Sequence, residues 1–138
     1  MCFLKIYSDT DSFKVFLADN PDLPIYSCFD KGEPKSRNKL YESNRISFDV
    51  SQKEWDDFKG QVNDAILFLE KYSAQIKKLF ATHLVTDACL DFPLWSRLDK
   101  NIVNQNDYIP KELIRIAGDL NLSIEMSIYA LDAFDFPE

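Results

Sequence analysis

The chain has 138 residues, 46% of them apolar and 14% aromatic, with a formal net charge of -7. That length supports one domain with a proper core and is too short for two. No apolar run reaches the roughly eighteen residues of a membrane span, and an acidic chain lacks the clustered Lys and Arg that general nucleic-acid binding requires. The expectation is a single cytoplasmic α+β domain over residues 1–138, with neither nucleic acid nor membrane as a partner; the opening "MCFLKIYSDTDS" has no basic leader.

Cys2 to Ser8 alternates Cys2, Leu4 and Ile6 against Phe3, Lys5 and Tyr7, which predicts a strand. Phe13, Phe16 and Leu17, preceded by Asp, Thr and Ser and followed by Pro21 and Pro24, predict a short helix. Ile25 to Asp30 and Arg45 to Val50 predict two further strands. Between them, Lys31 to Arg45 sets five basic residues against Glu33 and Glu42. It reads as a solvated loop, with a phosphate- or acid-binding loop as the alternative.

From Ser51 to Phe80, the apolar residues Trp55, Phe58, Val62, Ile66, Leu69, Ile76 and Leu79 recur at three- and four-residue steps. They predict one long helix, opened by a capping box of Ser51 and Glu54. His83 to Phe92, "HLVTDACLDF", alternates as a fourth strand, and Pro93 to Tyr108 is a long polar connection. Pro110 then starts a helix with the stripe Leu113, Ile116, Ala117 and Leu120, Asn121 offers a left-handed C-cap, and "LSIEMSIYAL" makes the fifth strand.

The resulting order, β-α-β-β-α-β-α-β, favours a ferredoxin-like mixed or antiparallel sheet of about five strands, extended at one end, with the helices packed on one face. Strand alternation then sends Tyr7, Asp87, Cys89, Asp91, Glu125 and Tyr129 to the opposite, open face. These six are the candidate binding residues. Cys89 stands out among them, because an apolar thiol on a wet face implies that something partly covers it.

The chain's one histidine, His83, is four residues from Asp87 and six from Cys89. Four residues of strand span about 13 Å, so these groups share neither a metal ion nor a nucleophilic site on a straight strand. Three widely spaced cysteines, Cys2, Cys28 and Cys89, predict free thiols. Three glycines and the absence of HExxH, GxSxG and CxxC leave no catalytic residue, metal site or cofactor to name.

"FLKIYSDT" leading into a short helix, the "KGEP" turn, and the ending "IPKELIRIAGDLNLSIEMSIY" resemble a bacterial family known only as a domain of unknown function, number four-two-seven-nine, some of whose members resemble immunity proteins of toxin systems. The likeness runs through nearly the whole chain. It implies an α+β domain and no known chemistry. The tryptophan often found in that family's strand after the KG turn is replaced here by Ile46 or Phe48.

Residues 101–138 hold 2 basic and 7 acidic groups, so this segment supplies -5 of the -7. Charge concentrated at one end suits electrostatic capture of a basic protein. The expected function is a non-catalytic binding module of the immunity type that neutralises such a partner. The alternative is a small-molecule binder or enzyme using the open sheet face.

Overall fold

The computed structural model describes residues 1–135; Glu138, part of the acidic end, lies outside them. The elements are β1 (Cys2–Ser8), α1 (Lys14–Asp19), β2 (Ile25–Phe29), β3 (Pro34–Ser36), β4 (Lys39–Leu40), β5 (Asn44–Ser51), α2 (Phe58–Thr82), β6 (Asp87–Trp95), α3 (Lys111–Asp119) and β7 (Ser123–Tyr129). Five strands form one sheet in the order β2-β5-β1-β6-β7. The β2/β5, β5/β1 and β1/β6 pairs are antiparallel, and β7 adds parallel to β6. This is the expected ferredoxin-like arrangement, β2-β5-β1-β6, extended by α3 and β7.

One core cluster holds the sheet's inward residues together with residues of all three helices: Leu4, Ile6, Ile46, Phe48, Leu90, Phe92 and Leu94 meet Phe16 of α1, Phe68, Leu69 and Ile76 of α2, and Leu113 and Ala117 of α3. Phe58 meets Phe92 edge-on at 5.5 Å. The helices therefore cover a single face, as alternation in β1 and β5 requires, and the other face carries no helix. Among the described residues, no helix is long and apolar enough to cross a membrane.

Three sequence expectations change. The long helix begins at Phe58, where Asp57 caps it by accepting from the Gly60 amide at 2.9 Å. Ser51 instead ends β5 and donates to Asp64 at 2.7 Å, so Ser51 and Glu54 make no capping box. Residues 52–57 then cross the end of the sheet, held by Gln61, whose side-chain amide donates to the carbonyls of Glu54 (3.0 Å) and Pro93 (3.1 Å). α2 runs unbroken through Tyr72 and Ser73.

The fourth strand is also displaced. β6 starts at Asp87 and continues through Pro93 to Trp95, so Leu84 and Thr86 lie exposed outside it while Ala88, Leu90 and Phe92 are buried as expected. The stretch before it, residues 83–86, is an irregular connection in which His83 caps α2 and the Thr86 amide donates to the Tyr7 carbonyl at 2.8 Å. The basic segment is the third change: a two-stranded sheet of β3 and β4 replaces the simple loop.

Candidate functional site

The helix-free face can be read row by row from the strand register. Tyr7 of β1 lies between Arg45 of β5 and Asp87 of β6, Lys5 between Ser47 and Cys89, and Phe3 between Asp49 and Asp91. Glu125 of β7 sits beside Asp91, and Tyr129 beside Trp95. All six candidate residues, Tyr7, Asp87, Cys89, Asp91, Glu125 and Tyr129, therefore share this face. They do not form one cluster.

Asp91 is only 7% exposed. It accepts from Lys5 Nζ at 2.6 Å and from Ser127 Oγ at 2.6 Å, so both carboxylate oxygens are engaged within the protein. Burial works against the Lys5 ammonium, yet the hydrogen bond and charge of Asp91 outweigh it and raise the Lys5 pKa. Asp91 is thus a structural member of the sheet face rather than a free contact residue. Cys89 is covered as well, its thiol facing Glu125 at 3.7 Å; burial, then the charges of Glu125 and Asp87, push its pKa up to about 11. A thiol held protonated is a poor nucleophile. Asp87, Glu125 and Tyr129 remain exposed, and Tyr7 is half-buried.

His83 is the C-cap residue of α2. Its Nδ1 lies 2.8 Å from Thr82 Oγ1 and 3.2 Å from the Leu79 carbonyl, while its ring stacks on Phe13 at 5.2 Å. The histidine is engaged in ending a helix. Among the described residues, no three His, Cys, Asp or Glu side chains gather as metal ligands.

The segment 52–57 brings Trp55 over the open face, against Tyr129 (4.9 Å, stacked), Trp95 (4.8 Å) and Phe134 (5.8 Å). Phe3 and Tyr26 make a second aromatic wall, 4.7 Å apart. Between the walls lies a cleft of about 270 Å³ whose floor holds Lys5, Asp91, Arg45 and Ser47. Ser47 Oγ is buried beneath it without a hydrogen-bond partner among the described residues. A larger cavity of about 620 Å³ lies between the start of α2 and the 97–110 connection. Its central charges are already matched, Arg97 with Asp107 at 2.9 Å and Asp57 with the helix it caps.

The outer side of β7 differs in character. No strand pairs with that edge among the described residues. Ile124 packs against the core, but Met126 and Ile128 are 40% and 56% exposed and meet Leu98 and Val103 of the connection around a shallow hollow of about 510 Å³. Glu125, Asp132 and Asp135 stand exposed on β7 or in the turn that follows it.

Trp55, Lys5, Arg45 and Ser47 were missing from the sequence-based site. Lys5 and Ser47 already shared the expected open face by alternation; their proximity to Cys89 and Asp91 needed the register between strands, which alternation does not provide. Trp55 was absorbed into the helix because its spacing to Phe58 and Val62 fits a helical stripe. No family model, curated protein or solved structure matches the chain.

Proposed function

We propose that this chain is a non-catalytic binding module of the immunity type, in keeping with its acidic C-terminal segment and with a resemblance to a domain-of-unknown-function family some of whose members resemble immunity proteins, and that it neutralises a basic protein docked along β7. The supporting observation is the β7 edge itself. An unpaired strand offers backbone donors and acceptors to an added strand, and exposed apolar side chains beside it supply area to bury. Met126, Ile128, Leu98 and Val103 provide that area, and Glu125, Asp132 and Asp135 provide charge complementary to a cationic surface. The groups that would serve a nucleophilic reaction have other work: His83 ends α2, Asp91 is paired with Lys5, and Cys89 is held as a thiol.

The test is an affinity capture from the native cell with the wild-type chain and with the Met126→Glu/Ile128→Glu variant, both checked for an unchanged circular dichroism spectrum. The wild type is expected to enrich a basic protein that the variant loses. Identical captures from the two, or enrichment of acidic proteins alone, would refute docking of a basic partner at β7. The aromatic cleft favours a second reading, a small-molecule binder, because Ser47 Oγ beneath it lacks a partner among the described residues.

A further inference from the structure

The basic segment Lys31 to Arg45 takes no part in docking at β7, yet it is firmly built. Gly32 (φ 90°) and Asn38 (φ 64°) adopt left-handed turns. The amide of Gly32 donates to the Tyr41 carbonyl and that of Tyr41 to the Glu33 carbonyl, each at 2.9 Å, which closes the β3–β4 hairpin at its base. Glu33 in turn pairs with Lys14 at 2.7 Å, tying the base to α1. Tyr41 stacks on Phe29 of β2 at 4.3 Å. Tyr41 is therefore held at the sheet end where Tyr7 and Arg45 emerge, with the exposed hairpin residues beside it.

Arg45 occupies an unusual position there. Its guanidinium carbon lies 5.6 Å from the Tyr7 ring centre and 5.7 Å from that of Tyr41, so two aromatic rings flank the group. None of the ion pairs among the described residues involves it. Its Nε is buried without a partner among the described residues, and its terminal nitrogens hydrogen-bond to none of them. Arg45 lines a cavity of about 610 Å³ that also receives Lys35 and Lys39, with Glu42 as the one acid in its lining. Lys35 itself lies over Tyr41 at 5.8 Å.

A half-buried, ring-flanked guanidinium without a carboxylate carries desolvation cost and gains no ion pair in return. We infer that Arg45, Lys35 and Lys39 form a binding site for a phosphate-class dianion. Arginine's planar fork matches two oxygens of such a group, and lysines add point charge around the third. Three cations against Glu42 leave an excess that a dianion neutralises better than a single carboxylate does. Arg45 also lines the aromatic cleft, so a phosphate ester has a route for its body between Tyr26 and Trp55. This inference is independent of the docking of a protein at β7.

Amide NMR titration of the intact chain with inorganic phosphate, phenyl phosphate and acetate, at ionic strength held constant with sodium chloride, tests it. Saturating shifts at Arg45 and the hairpin amides are expected with both phosphates. Equal affinities would identify the bare anion as ligand, and tighter binding of phenyl phosphate would identify an ester whose ring uses the cleft. Arg45→Gln is expected to weaken binding by about tenfold or more, and exposed Lys39→Ala, outside the five-stranded sheet, by roughly threefold. Shifts that fail to saturate, acetate binding as tightly as phosphate, or a Lys39→Ala variant that binds phosphate as well as the wild type would overturn the site.

Discussion

Replacing Asp91 with alanine removes the acceptor of two part-buried hydrogen bonds at once. The Lys5 side chain, 26% exposed, is left between Ser47 and Cys89 with no carboxylate, and the Ser127 hydroxyl loses its acceptor. Breaking a fully buried ion pair costs about 3–5 kcal/mol; the partial exposure of Lys5 lets its ammonium regain water, which lowers the expected loss to about 2–3 kcal/mol. For a domain of this size that corresponds to a melting point lower by about 6–10 °C. Urea unfolding followed by the fluorescence of Trp55 and Trp95 measures it. The Lys5→Met/Asp91→Leu double variant removes both charges and is expected to recover to within about 1 kcal/mol of wild type. A loss below about 0.5 kcal/mol for Asp91→Ala, or a double variant no more stable than the single one, would refute the structural role assigned to this pair.

Alkaline pH probes the covered thiol. The folded chain holds the Cys89 proton more tightly than the unfolded chain does, so stability present below pH 9 is lost as pH rises through about 11. Cys89→Ala should flatten this decline, leaving the part due to buried Cys2, whose pKa is also raised by burial first and by the charge of Asp91 next; an unchanged slope would contradict the assignment. Titration of the denatured, unreduced protein should find three free thiols, and a count of one would contradict the unbridged state of Cys2, Cys28 and Cys89. Gly60→Ala should bring none of the usual helix gain of up to about 1 kcal/mol, because the new Cβ would collide with the Asp57 carboxylate and displace the cap; a clear rise in melting temperature would show that the cap contributes nothing. Trp55→Ala should cost about 1–2 kcal/mol by opening the aromatic wall, together with a loss of near-ultraviolet dichroism, and unaltered dichroism would place Trp55 elsewhere.

The alternation of Leu4 and Ile6 against Lys5 and Tyr7, and of Glu125 and Tyr129 against Ile124, sufficed to place the helices on one face and the candidate residues on the other, because side-chain direction in a strand is a local property. The cover over Asp91 was not legible, for the converse reason. Whether an outward carboxylate is solvated depends on its cross-strand neighbour, and Lys5 is 86 residues away in the chain. Cys89 did signal cover, which Glu125 and the neighbouring strands supply. His83 shared the alternation of the strand behind it, although the helix extends to Thr82 and the ring turns back to Phe13. β3 and β4, with three and two residues, are too short to carry any periodic signal. At β7 the acidic charge was legible, whereas the exposure of Met126 and Ile128 is a matter of tertiary packing.

Docking of a basic partner at the β7 edge is tested most directly by the association kinetics of the captured partner. With that partner immobilised, its association rate with the wild-type chain should fall steeply with added salt and should fall again for Glu125→Lys, while Ile128→Glu should speed dissociation by about tenfold or more. An association rate indifferent to salt and to Glu125→Lys, with dissociation unchanged in Ile128→Glu, would contradict docking at this edge.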